Sequence, residues 1–175
     1  MAARSLRARS YPSSVDIPVA GRTKINVVLN QQLADASDLR SQLKQAHWNV
    51  KGPAFWQLHK LFDEVAEQAE GWIDELAERV TALGGYARGT VRMAAASSTL
   101  PELPTDITDG MEYVKAVVER LAAFANSARE AIDWADKLGD AGTADLFTEI
   151  SRCADKYLYF LEAHLQDQRL REVRA

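Results

Sequence analysis

The side chains of this chain that could hold a metal are few imidazoles and many carboxylates. Three histidines, His47, His59 and His164, stand beside 25 Asp and Glu residues, and there is a single cysteine, Cys153. Zinc favours closed tetrahedra of thiolate and imidazole. Carboxylate-rich sets with one or two His and open positions suit ferrous iron and its reaction with oxidants. Two ligand pairs recur at i, i+4 spacing, His59 with Asp63 and Asp74 with Glu78. On a helix each pair shares a face, because four residues turn the chain by about 400°. The Glu-x-x-His pair that builds a metal centre inside one bundle occurs nowhere in the sequence.

The two pairs fall along one stripe but cannot share an ion within one subunit. Asp63 and Asp74 are separated by roughly 16 Å along a helix at 1.5 Å rise, whereas each ligand of one iron must come within about 2 Å of it. His59 and Glu78 are equidistant from the point between Gln68 and Ala69, and so are Asp63 and Asp74. Two copies of this segment crossing antiparallel at that point would oppose both pairs at once. Isologous pairing then makes two identical sites, each with the His half of one subunit and the acidic half of its mate. Ala69 and Gly71 are small enough to permit a close crossing. A plainer reading stays open: carboxylates at i, i+4 are common on solvated helix faces, and Glu75 with Arg79 has the spacing of an ordinary surface pair. His47, at a helix end, could equally be packed or solvated, and His164 reads as structural or surface.

Helices must position these groups. From Ile25, the apolar residues Val28, Leu29, Leu33, Ala36, Leu39, Leu43, Ala46 and Val50 recur at three- and four-residue spacing, which predicts a helix with one buried face. Gly52-Pro53 stops it, and a second helix runs from Phe55 to the Gly84-Gly85 pair. Residues 86–108 are too long for a plain connection and contain a possible short helix over Val91–Ser97. Asp109 can cap a third helix that ends near Gly139, and a fourth begins near Thr143. The expected architecture is all-α: a ferritin-like four-helix bundle over residues 25–168, with a long crossover containing a short helix between its halves.

Few prolines and glycines and 47% hydrophobic residues fit one helical globular domain. Arg4, Arg7, Arg9, Arg22 and Lys24 face only Asp16 in the first 24 residues, and Pro12 and Pro18 with several serines leave that stretch little to bury. A flexible basic tail is expected over residues 1–24, and a short C-terminal tail over 169–175. A net charge of −4 argues against a uniformly basic surface. No apolar run approaches the ~20 residues that cross a bilayer. Cys153, read as a small core residue, fits a reducing compartment. The expected location is cytoplasmic, with no membrane partner.

The run from His47 to Gly85, HWNVKGPAFWQLHKLFDEVAEQAEGWIDELAERVTALGG, closely resembles the defining segment of the Dps family, the mini-ferritins. The resemblance rests on His47-Trp48-Asn49, Gly52, Phe55, Leu58-His59 and Phe62-Asp63, followed by Asp74, Glu78, Arg79 and Gly84-Gly85. It implies a homo-oligomer, a dodecameric shell with ferroxidase sites at dimer interfaces. Each site would take His47, His59 and Asp63 from one subunit and Asp74 and Glu78 from the other. Iron would be oxidised there by hydrogen peroxide or dioxygen and stored as ferric mineral inside, which protects the cell from oxidative damage. Zinc is a possible surrogate or second metal. Trp48 and Trp72 could intercept stray radicals or simply pack. Asp136, Asp140 and Asp145 resemble the acidic residues of the family's iron uptake pore, although Ala141 departs from an acidic position of some members. Alternatively, Asp140 and Asp145 complement the start of the fourth helix. Some members compact DNA through basic tails, so DNA binding through the N-terminal segment, with nucleoid association, is the alternative function.

Overall fold

The computed structural model describes residues 10–172, and all regular structure among them is helical. Helix α1 (Val19–Asn49) starts behind Pro18 and ends before Gly52, whose φ of 105° turns the chain into α2 (Phe55–Ala82). Gly84 ends that second arm at φ 77°, where an added Cβ would lie 2.4 Å from the Tyr11 carbonyl oxygen. Only glycine fits there, for its backbone angle and for the close approach alike. Helix α3 (Val91–Ser97) is the short helix expected in the crossover, with the Thr90 hydroxyl accepting from the Met93 N–H. Helix α4 (Gly110–Lys137) starts in a capping box formed by Asp109 and Glu112, and α5 (Ala141–Glu172) follows after a tight corner.

Helices α1 and α2 pack as one hairpin, α4 and α5 as the other, and α1 lies against α4 between them. Leu29, Leu33, Leu39 and Leu43 meet Phe62, Trp72 and Leu76, Leu121 and Phe124, and Phe147 and Leu161 in one fully buried core. Each such side chain contributes about 1.5–3 kcal/mol. That core, more than helix propensity, fixes where the long helices lie. The crossover is pinned by polar contacts. Asp35 accepts from the Thr99 N–H at 2.7 Å, the Ser98 hydroxyl donates to Asp38 at 2.6 Å, and Arg120 donates to the Glu102 carbonyl at 2.6 Å.

The expected tails are shorter than the sequence suggested. α1 begins at Val19, inside the stretch assigned to a flexible tail, and residues before it are docked. The Tyr11 N–H donates to Gly84 O at 2.8 Å, the Ser13 hydroxyl to Ala82 O at 2.9 Å, and Arg22 to Leu83 O at 3.4 Å. The physical cause is the end of α2, whose last carbonyls lack helical partners and recruit these donors. Residues 1–9 lie outside the described residues. At the other end α5 continues to Glu172, past the expected boundary at 168, since nothing in that run breaks a helix. Residues 173–175 lie outside the described residues.

Two smaller readings also change, and the alternatives for Trp72 are decided. Ala69 is buried in its own subunit's core, so of the two small residues near the proposed crossing only Gly71 is exposed. Arg79 pairs with Asp140 across the bundle, not with Glu75. Trp72 is buried and stacks on Phe124 with centroids 5.4 Å apart, which makes it a packing residue. Cys153 is half-buried and packs against the core as expected. Among the described residues no helix is long and apolar enough to cross a membrane.

Candidate metal centre

The turn at Gly52 brings the last residues of α1 against the start of α2, and two histidines lock that junction. His47 Nδ1 lies 2.7 Å from the carbonyl oxygen of His59, and His59 Nδ1 lies 2.9 Å from the carbonyl oxygen of His47. Their rings stack with centroids 3.7 Å apart and planes 20° from parallel. A carbonyl only accepts, so each Nδ1 must carry the proton and donate. In the neutral imidazole each Nε2 then keeps its lone pair, the state in which imidazole binds a metal. The reciprocal clasp thus sets tautomer and ring direction for both groups before any ion arrives.

Asp63 stands one turn beyond His59 on α2, its Oδ1 3.8 Å from His47 Nδ1 and in an ion pair with Lys44 Nζ. The hydrogen bond from the Lys44 ammonium holds the Asp63 carboxyl below its ordinary range. Partial burial opposes this, and the charge of His47 when protonated, of Lys44, and of His59 when protonated add to it. A lowered carboxylate pKa stabilises the fold above its ordinary 3.8, and that contribution is lost as pH falls through the lowered value. The Asp63 carboxylate is therefore charged throughout the neutral range.

Asp74 and Glu78 are exposed further along α2, facing no histidine of the same chain. Among the described residues no three His, Cys, Asp or Glu groups of one chain can hold a metal between them. One subunit brings His47, His59 and Asp63 together and leaves Asp74 and Glu78 apart from them. His164 sits half-buried on α5, outside this cluster.

Lys44 went unnoticed in the sequence. Its signal was the i, i+3 spacing to His47, which places it on the same helix face. An aromatic rim also borders the cluster. The Phe55 and Trp56 rings lie 5.1 and 6.3 Å from that of His59, and exposed Trp48 has the Lys44 ammonium 6.0 Å from its ring.

The three acidic residues of the α4–α5 corner separate. Asp140 is 2% exposed and accepts from Arg79 Nη2 at 2.6 Å, the Thr143 N–H at 3.0 Å and the Thr143 hydroxyl at 2.5 Å. Both of its oxygens are engaged in holding the start of α5, so it cannot present charge to an opening. This corrects the pore assignment for Asp140. Asp136 and Asp145 remain exposed.

Comparisons with known proteins converge on one kind of molecule. Residues 27–170 match the model of the Ferritin family, described as a ferritin-like domain. The "DNA protection during starvation protein" of Agrobacterium fabrum is 41% identical over 160 residues, covering 91% of this chain and 99% of that protein. Among solved structures, DpsC from Streptomyces coelicolor superposes with a TM-score of 0.86 at 30% identity, covering 93% of this chain and 96% of that one. The Dps protein from Vibrio cholerae, described as a member of a broad superfamily of ferritin-like diiron-carboxylate proteins, gives 0.82 at 25% identity, covering 92% and 99%.

Proposed function

Because this chain belongs to the ferritin-like family, on its Dps branch, we propose that it is a ferroxidase that oxidises ferrous iron and stores the ferric product inside a hollow homo-oligomeric shell. The observation that carries this reading is the pre-set half-site: two stacked imidazoles with Nε2 left open, beside a charged Asp63. The mate's Asp74 and Glu78 supply the oxygen ligands that this half lacks. Imidazole nitrogen is a borderline donor suited to ferrous iron, and carboxylate oxygen favours the ferric product. Hydrogen peroxide is the proposed oxidant. Two ferrous ions held together deliver both electrons at one place, which avoids release of hydroxyl radical and makes the protein protective. A dodecamer in the cytoplasm is the assembly that this function uses. The direct test supplies peroxide or dioxygen separately to the purified protein and follows ferric absorbance. Fast oxidation by peroxide supports the reading, and rates no faster than in buffer with either oxidant reject it.

Lys44 already places a cation on Asp63, so an arriving ferrous ion must displace it. Replacing Lys44 with Met is expected to tighten binding of zinc(II), a redox-inert probe of the same charge. A calorimetric titration reads this, and unchanged affinity would mean that Lys44 leaves the site unopposed.

A second role, contact with DNA, rests on Arg4, Arg7 and Arg9. The docked segment from Tyr11 onward dictates where to cut, because removing it would also strip donors from the end of α2. Deleting residues 1–9 is expected to leave iron oxidation intact and abolish retention of DNA, which for charge-driven binding weakens steeply with salt. Unchanged retention at low salt would acquit the segment.

A further inference from the structure

The acidic half of the proposed site has no clasp like the one that joins His47 and His59. Glu78 is exposed and stands four residues from the end of α2 at Ala82, in the part of a helix that frays. Its carbonyl accepts from the Thr81 hydroxyl at 2.8 Å, but among the described residues no side chain donates to its carboxylate. The residue next to it is held far more firmly.

Arg79 reaches sideways to the α4–α5 corner, where its Nη2 donates to Asp140 Oδ1 at 2.6 Å and its Nε to Thr143 Oγ1 at 2.8 Å. Both acceptors are fully enclosed. A guanidinium is a rigid planar fork, so bonds from Nε and Nη2 fix its plane as well as its position. Gly142 completes the seat, since an added Cβ there would lie 3.1 Å from Arg79 Nη2. Successive residues of a helix project about 100° apart. Leu76 and Val80 bury one face of this turn in the core, Arg79 ties it down about 100° round from Val80, and Glu78 projects about 100° beyond that. Apolar burial is non-directional, so the core face alone resists rotation of the turn weakly. A second anchor at another azimuth stops it.

We propose that Arg79 is the positioning residue of the acidic half-site: gripped by Asp140 and Thr143, it holds the end of α2 so that Glu78 meets His47, His59 and Asp63 of the mate. The inference rests on the shared ferroxidase site proposed above and adds a residue that touches no iron. The α4–α5 corner, distant in sequence, thereby sets the geometry of a site built on α1 and α2.

The test uses the full-length assembled protein. Arg79→Gln is expected to raise the ferrous concentration for half-maximal oxidation by about 10–100-fold, the cost of losing a group that orients a metal ligand, with a maximal rate much nearer the native one. Zinc(II) binding in a calorimetric titration should weaken by a similar factor. Arg79→Lys, which keeps a charge for Asp140 but loses the fork, should fall between the two. Co-assembly then shows on which half-site Arg79 acts. In a mixed dimer with an Asp63→Ala chain, one site joins the intact His half of the Arg79→Gln chain to an acidic half that keeps its Arg79, so native affinity returns in about a quarter of all sites. With Glu78→Ala chains, each mixed site has an acidic half lacking either Glu78 or Arg79, and nothing returns. An Arg79 that served stability alone would lower the denaturation midpoint without this pattern. Should Arg79→Gln not assemble because Asp140 is left buried and unpaired, Arg79→Lys carries the same co-assembly test. Native ferrous and zinc dependence in the variants, or rescue by Glu78→Ala chains equal to that by Asp63→Ala chains, overturns the inference and leaves the ferroxidase reading in place. Failure of the native chain to oxidise ferrous iron at all would instead reject that reading.

Discussion

Shells assembled from a mixture of Asp63→Ala and Glu78→Ala chains are expected to regain ferrous oxidation that neither variant performs alone. Each variant by itself carries the same defect in both sites of every dimer. The loss should exceed the ~10–100-fold that removal of a supporting group around a metal site costs, because here a ligand itself is gone. In a mixed dimer the two sites differ. One collects both substitutions, and the other takes intact His47, His59 and Asp63 from the Glu78→Ala chain and intact Asp74 and Glu78 from the Asp63→Ala chain. With equal and random mixing about half of the dimers are mixed, so about a quarter of all sites recover under an isologous interface. A centre confined to one subunit would recover nothing. The measurement is the initial rate of ferric formation in co-expressed shells against shells mixed only after assembly. Equal, negligible rates in both would reject the shared site. Both substitutions lie off the apolar face, on half-exposed and exposed positions of α2, so assembly itself should survive them.

Replacing Asp140 with Ala is expected to destabilise the subunit by about 3 kcal/mol, within the range for breaking a buried ion pair by removing one partner. Asp140 is almost fully enclosed and its Arg79 partner only partly exposed, so water cannot replace the lost contact on the carboxylate side. The same change takes the acceptor from the Thr143 N–H and hydroxyl at the start of α5. A lower denaturation midpoint at unchanged slope is the readout. Changing Asp136 and Asp145 together to Asn should do the reverse, leaving the midpoint where it was. If those two line an opening that concentrates cations, oxidation should fall below the native rate at low ionic strength, and the difference should vanish in salt, where the native field is screened over about 10 Å or less. Equal stability of Asp140→Ala and the native chain would return Asp140 to the surface.

The helices were legible in the sequence because each carries its own local signals. Gly52-Pro53, Gly84-Gly85, Asp109, and the spaced apolar residues mark starts, stops and buried faces without reference to any other part of the chain. Val91–Ser97 was found as a short run within an otherwise long connection, and the structure adds its Thr90 cap. The pairing of His59 with Asp63 and of Asp74 with Glu78 follows from helical pitch alone, and so does the conclusion that one chain cannot join them.

What the tertiary structure decided are the contacts between elements far apart in sequence, since a side chain's partner there depends on how helices dock. Tyr11 and Ser13 look like tail residues until the orphan carbonyls at the end of α2 claim them. Asp140 looks like one of three equivalent pore acids until Arg79, sixty-one positions earlier, is brought to it. Trp72 reads as a radical trap or a packing residue until Phe124 meets it and decides for packing. The same holds for the metal half-site. Spacing could place His47 near the turn, but only the docking of α1 on α2 aims the two Nδ1 protons at carbonyl oxygens and sets Lys44 upon Asp63. Local periodicity is a property of one helix. The protonation, burial and counter-ion of a functional group belong to the space between two.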